Sequence, residues 1–298
     1  MGSAGGELCL RRWPAEHPSP ERLAFIHSIL GRAWRNGFRR LPRPIATNQG
    51  QTFFRHEGRL WELTPWLPGA ADYPSAPSAA RLRGAMRALA EFHLAVAGDE
   101  SAPSAAAGSP GLLERASQAR RLVSGGMEDL AAAVRSKSIP GLQEQATRVL
   151  SLARGAMDDV ARDLRRATEI NVPLQPAIRD IWRDHVLFVG EEVSGIIDFG
   201  AMRIESVCGD VVRLLGSLAG NNVAQWNIGI EAYRALRPLS AEEEALMPVF
   251  ERSGIVLAGV NWLEWLYCEG RQFENLPAVR QRLEEIGDRL EAGNSLAT

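Results

Sequence analysis

The stretch AIRDIWRDHVLFVGEEVSGIIDFG, residues 177–200, gathers the side chains most able to do chemistry together. Asp180 closes an apolar run. Asp184 and His185 lie in the polar loop after it. Asp198 ends a second apolar run, just before Phe199-Gly200. VLFV and VSGIID have the composition of strands, joined by a turn at Gly190-Glu191-Glu192. A hairpin of this size brings its outer ends together, so Asp180, Asp184, His185 and Asp198 are expected at one mouth. Phosphoryl transfer needs such a set. One carboxylate orients the attacking hydroxyl and takes its proton, a second holds Mg²⁺ on the nucleotide phosphates, and a further loop residue completes the metal site. Taken singly, Asp180 is an ordinary loop residue and Asp198 a strand-ending turn former; their combination carries the reading.

The segment resembles the catalytic loop and metal-binding strand of the aminoglycoside-phosphotransferase and choline-kinase-like family, whose pattern is HGDxxxxN, an apolar strand, a turn, then IDF or IDW. The resemblance implies that Asp180 is the catalytic aspartate and Asp198 the magnesium aspartate. It also implies that Asp210, in GDVVRLLGSL, is the later helix aspartate with a structural role. It extends more weakly over most of the chain. LCLRRW falls on the nucleotide-lysine strand. LTPWLPG falls on the hinge, which makes Leu63 and Trp66 nucleotide-binding candidates, and LAEFH falls on the helix after it. The cofactors implied are ATP and Mg²⁺, with Mn²⁺ as the alternative, and the partner implied is a small molecule offering a hydroxyl.

Three positions depart from the pattern. The family's His-Gly is Ile178-Arg179, its loop Asn is His185, and its strand lysine is Arg11, with Arg12 in the alternative register. Imidazole is a softer ligand than an amide oxygen. Either His185 binds a different metal, or it hydrogen-bonds within the loop while Asp184 reaches the cation. Arg11 can clamp phosphate as a fork, and Glu21 on the following helix is its candidate ion-pair partner. Arg179 and Arg183 flank the catalytic position as candidate γ-phosphate ligands or plain loop charges. His93, on an apolar helix face, reads as a core histidine. At helical spacing, Trp226, Tyr233, Trp262, Trp265, Tyr267 and Phe273 read mainly as core.

The elements around this segment define an α+β chain with a two-lobed protein-kinase-like fold. Residues 1–72 form a small, strand-rich nucleotide-binding lobe, and residues 73–298 form a large helical lobe with the catalytic loop and hairpin embedded. In the first lobe, residues 7–13 alternate with Leu8 and Leu10 as the apolar face. A helix over 19–31 has Ser19 as N-cap, Pro20 in its first turn and Gly31 at its end. QTFFRH and RLWELTPW make a hairpin turning at Glu57-Gly58. In the second lobe, helices are expected over 78–96, 112–135 and 141–168, the last two separated by Pro140, with a low-complexity loop over 98–110. Everything after 200 is helical, with a capping box at Ser240 and Glu243.

The start of the chain is short for this layout. Only ten residues precede Arg11, whereas each strand of a phosphate-covering hairpin needs about five or six. The expectation is a shortened first lobe, with a glycine-containing hairpin encoded in frame upstream. The competing expectation is an open nucleotide site.

The 298 residues are 45% hydrophobic and carry a net charge of -2, which excludes a disordered chain and bulk attraction to nucleic acid or acidic lipid. Cys9, Cys208 and Cys268 are widely spaced and show no zinc pattern. No apolar run has the length of a membrane span, so a cytoplasmic protein with reduced thiols is expected. Lys137 is the only lysine, so the other 33 of the 34 basic residues are arginine; any ammonium role falls to a guanidinium. The functional expectation is an ATP-dependent kinase of a small-molecule hydroxyl. A kinase-like nucleotide-binding scaffold with little catalysis is the alternative.

Overall fold

The computed structural model describes residues 6–98 and 106–295. In chain order the elements are β1 Leu8–Arg12, α1 Pro20–Arg35, β2 Phe54–His56, β3 Arg59–Pro65, α2 Ala79–Val96, β4 Ala106–Gly108, α3 Pro110–Arg121, α4 Met127–Ser136, α5 Gln143–Ala167, β5 Asn171–Pro173, β6 Gln175–Ala177, β7 Val186–Val189, β8 Glu192–Ile196, β9 Arg203–Glu205, α6 Cys208–Ala219, α7 Val223–Arg234, α8 Ala241–Leu263 and α9 Leu276–Ser295. They group into two compact units. One combines Met1–Ala105 with Leu174–Leu239, the other Ala106–Pro173 with Ser240–Thr298. The 72/73 boundary suggested by the sequence lies inside the first unit.

The first unit begins with an antiparallel sheet in the order β1-β3-β2. Glu57 and Gly58 have φ of 49° and 72°, the double left-handed turn that suits a two-residue hairpin. β1 alternates as expected, but in the opposite phase. Leu8 and Leu10 are 55% and 57% exposed, while Cys9 and Arg11 lie on the more buried face. Period-two alternation fixes which residues share a face, not which face is turned inward. Trp13, Leu23 and Leu60 form a small core between helix and sheet, with Phe53 packed against it.

Ser19 caps α1 by accepting from the Arg22 N–H, and Pro20 opens it. Gly31 does not end the helix. The buried positions continue through Ala33, and Gly37 takes the positive φ after the last turn, at 95°. Segment 66–70 lies over the β7–β8 hairpin. Ala70 exchanges backbone bonds of 2.9 and 3.0 Å with Phe188, and Ser194 Oγ donates to Pro68 O at 2.5 Å. A Cβ at Gly69 would sit 2.5 Å from Phe188 O, and φ there is 103°, so no other residue fits. This packing is why the 72/73 boundary falls within one unit. α2 packs on α6 and α7, and its Met86, Leu89 and Phe92 are fully buried.

In the second unit, α5 packs against α3, α4, α8 and α9. The helix expected over 112–135 is broken at Ser124 and at Gly125, whose φ is 118°. Within the loop expected over 98–110, residues 106–108 pair with β5 and Ser109 caps α3; residues 99–105 lie outside the described residues. Both halves of the Ser240–Glu243 capping box are formed. The Trp262 ring meets Trp265 edge-on and Phe273 at a tilt, with centroids 5.3 and 5.2 Å apart. Among the described residues, no helix is long and apolar enough to cross a membrane.

Candidate active site

One face of α6 organises the loop that carries Asp180. Asp210, Arg213 and Ser217 are spaced three and four residues apart, so they lie on one stripe of the helix. The buried carboxylate of Asp210 accepts the backbone N–H groups of Ile178 and Arg179, each at 2.6 Å. It also lies 3.1 Å from His93 Nε2, whose Nδ1 is 2.7 Å from Tyr233 Oη. Arg213 Nη2 donates to Asp180 Oδ1. Ser217 Oγ accepts the Arg183 N–H at 2.8 Å. The loop is thus fixed before, at and after the aspartate. Arg179 takes φ 67°, a left-handed conformation that glycine adopts freely and arginine does not.

His185 links the two aspartate segments. Its Nδ1 lies 2.8 Å from the carbonyl oxygen of Asp180, which can only accept, so Nδ1 carries the proton. Its Nε2 accepts the Trp182 indole N–H at 3.0 Å, so the remaining lone pair is used. The ring also packs edge-on against Trp182, and Nε2 stands 3.8 Å from Asp198 Oδ2. The histidine thus fastens the loop through both ring nitrogens.

Asp198 follows β8 in a left-handed conformation of φ 60°, which aspartate tolerates better than most residues. Arg11 Nη2 donates to its Oδ1 at 3.2 Å. The same guanidinium lies 3.6 Å above the Trp13 ring. Residues after Asp198 are held from the same side. Arg22 Nη2 donates to Ala201 O and Met202 O at 3.0 and 2.8 Å, and His17 Nε2 lies 3.2 Å from Gly200 O. Gly200 leaves little more than room for the Trp13 ring, which a Cβ would meet at 3.1 Å. Phe199 is buried against Phe92.

The remaining candidates are placed differently. The expected Arg11–Glu21 pair is replaced by Arg11–Asp198. Glu21 sits in the exposed first turn of α1, where its own backbone N–H and Ser19 hold its carboxyl below the usual glutamate range. Asp184 is directed to Arg183, at 3.6 Å. Leu63 O accepts the Ile45 N–H, and the Trp66 N–H donates to Glu7 O at 2.9 Å, with Trp66 61% exposed.

As a cation site, Asp198 fits through Oδ2, since Mg²⁺ needs only one or two carboxylates when phosphates and waters fill the rest. His185 does not fit, because both ring nitrogens are committed. Among the described residues, no group of three or more His, Cys, Asp and Glu side chains could hold a metal. Sequence reasoning missed Arg213, Ser217, Trp13 and Arg22. Only the first two left a signal, the helical spacing from Asp210.

The family model described as the APH phosphotransferase enzyme family matches residues 2–249. The chain belongs to that family. Among curated relatives, the homoserine kinase of Rhodopseudomonas palustris (strain ATCC BAA-98 / CGA009) is 28% identical over 234 residues, which cover 74% of this chain and 63% of that protein. This chain thus spans under two thirds of that relative's length. Among solved structures, the spectinomycin phosphotransferase APH(9)-Ia, in complex with ADP and spectinomycin, matches with a TM-score of 0.66 at 12% identity, covering 98% of this chain and 88% of that one. The aminoglycoside phosphotransferase of Alicyclobacillus acidocaldarius matches with a TM-score of 0.65 at 15% identity, covering 98% and 85%. At these identities the likeness is one of fold, and the chain has the two-lobed kinase-like α+β architecture.

Proposed function

We propose that the chain is an ATP-dependent phosphotransferase that moves the γ-phosphate to a hydroxyl of a small molecule. The observation that carries the reading is the pair Asp180 and Asp198, brought to either side of His185 and each held by its own arginine. Asp180 keeps Oδ2 for the acceptor hydroxyl, whose proton it orients and takes. Asp198 Oδ2 would hold Mg²⁺ or Mn²⁺, which supplies charge neutralisation on the nucleotide phosphates. Arg11 stands where a second positive charge can meet those phosphates, and its stacking on Trp13 limits its freedom. Leu63 and Trp66 border the nucleotide side. The kinases of this fold named above act on different alcohols, and fold alone does not choose the acceptor.

The test is coupled ATP turnover with Mg²⁺ and with Mn²⁺ over a panel of small alcohols that includes L-homoserine, beside nucleotide binding by calorimetry. Acceptor-dependent ADP release that vanishes in Asp180→Asn supports the reading. One observation favours a second reading, a kinase-like nucleotide-binding protein with little catalysis: the second metal-binding position of the family is here a histidine with no lone pair to offer. Nucleotide binding without turnover over the whole panel would favour it.

A further inference from the structure

Arg213 touches Asp180 with one nitrogen only, Nη2 on Oδ1. Guanidinium–carboxylate pairs are frequently bidentate, with two parallel bonds, and this one is not. Here the rest of the fork has no partner among the described residues, and Nε is buried without an acceptor. Leaving a buried donor of a charged group unsatisfied is costly. The side chain is nonetheless 38% exposed, so part of the cation is open to a ligand.

The position of the open edge follows from Asp180. A hydroxyl whose proton Asp180 takes must lie within about 2.6–3.2 Å of that carboxylate. Substituents close to that hydroxyl, and the phosphoryl group it attacks, then fall beside the guanidinium bonded to the same carboxylate. A carboxylate or phosphate oxygen there would find donors already oriented by α6 and by Asp180. An ammonium there would meet a fixed positive charge.

We propose that Arg213 is an oxyanion-binding residue of the site, receiving a carboxylate or phosphate oxygen held next to the acceptor hydroxyl. The proposal rests on the phosphotransferase reading, with Asp180 as the base. The oxyanion belongs either to the acceptor, which makes the acceptor an alcohol with an anionic group near its hydroxyl, or to the γ-phosphate.

The experiment compares the wild type with Arg213→Met and Arg213→Lys, using ratios that a merely structural role does not move. The first ratio is the affinity for ATP against ADP, by calorimetry. The second is the kcat/KM, or the affinity in the presence of AMP-PNP where turnover is absent, for alcohols paired as carboxylate and carboxamide: 4-hydroxybutyrate, L-serine and L-homoserine with their amides. Arg213→Met is expected to shift one ratio by about tenfold, the scale of one charge-assisted contact, with partial recovery in Arg213→Lys. A shift confined to carboxylate over amide places the oxyanion on the acceptor. A shift confined to ATP over ADP places it on the γ-phosphate. If Arg213→Met changes ATP, ADP and both members of every pair by equal factors, Arg213 only positions Asp180 and the proposal is overturned. Failure to bind either member of any pair, with an unchanged ATP-to-ADP ratio, overturns it as well. Asp180→Asn, assayed alongside, separates this from the base assignment: full activity there removes the base while the two ratios still report on Arg213.

Discussion

Arg11 and Asp198 lie 187 residues apart in the chain, yet their side chains meet at 3.2 Å. Both are more than a third exposed, so the pair itself adds only about 0–1 kcal/mol to stability. Its consequence is electrostatic placement. A guanidinium fixed over Trp13 neutralises the carboxylate proposed to meet the cation, and leaves Oδ2 open. Asp198→Ala is therefore expected to remove the cation-dependent part of ATP binding and spare the cation-free part. Calorimetry with and without Mg²⁺ reads this directly. The same ratio of the two affinities in wild type and variant would contradict it.

Asp180 and Asp210 provide the sharpest contrast between chemistry and support. Asp180 is half exposed and bonded to one arginine, so Asp180→Asn is expected to keep the wild-type melting temperature while lowering kcat/KM by about 10²–10⁴, the usual scale of a lost general base. Asp210 is buried and satisfies two backbone N–H groups and His93. Asp210→Ala strands those donors and is expected to cost about 3 kcal/mol of stability, with activity lost as a by-product. Melting curves beside turnover distinguish the two. A stable, inactive Asp210→Ala would assign that residue to chemistry instead.

Trp182 decides what His185 can bind. While its indole N–H occupies Nε2, the imidazole has no lone pair for a metal. Trp182→Phe keeps a ring against the histidine and removes the donor. The variant is expected to gain affinity for Co²⁺ or Zn²⁺, which favour imidazole, seen as a metal-dependent rise in melting temperature that wild type and the Trp182→Phe/His185→Asn double variant lack. A rise of equal size in all three proteins would place metal binding elsewhere.

Much of this site was legible in the sequence because its parts are local. The hairpin after Asp180 is announced by two apolar runs and a glycine turn, and the capping box at Ser240 by its spacing. Ser19 and Pro20 mark the start of α1 equally well. What was not legible is set by tertiary partners. Arg11 chose Asp198 over Glu21 because β1 turns Cys9 and Arg11 inward, and alternation cannot reveal that phase. Gly31 looked like a helix end, yet the amphipathic pattern continued past it and Gly37 supplied the positive φ. The break at Ser124-Gly125 falls on residue types that favour one, inside a stretch whose apolar spacing is otherwise helical. Arg213 and Ser217 acquire meaning only once α6 is laid against the loop.

Arg179 stands where the resembled family has glycine, and the structure supplies the reason that glycine suits the position. Its φ of 67° lies in the left-handed region, which costs an L-residue with a Cβ about 1–2 kcal/mol relative to glycine. The conformation is imposed by Asp210, which captures the Ile178 and Arg179 N–H groups together and turns the chain so that Asp180 meets Arg213. Arg179→Gly should relieve the strain and keep both hydrogen bonds. Glycine's larger unfolded-state entropy offsets part of the gain, so a net stabilisation of about 0.5–1 kcal/mol is expected, measured by urea denaturation. The kinetic result then tells what the side chain is for. If the arginine is only a loop charge, kcat/KM stays at the wild-type value while stability rises. If it contacts the nucleotide, stability rises while the KM for ATP increases, a trade of strain for binding. A fall in stability would show that the left-handed turn is held by the arginine side chain itself, and would remove the backbone explanation for this departure from the family pattern.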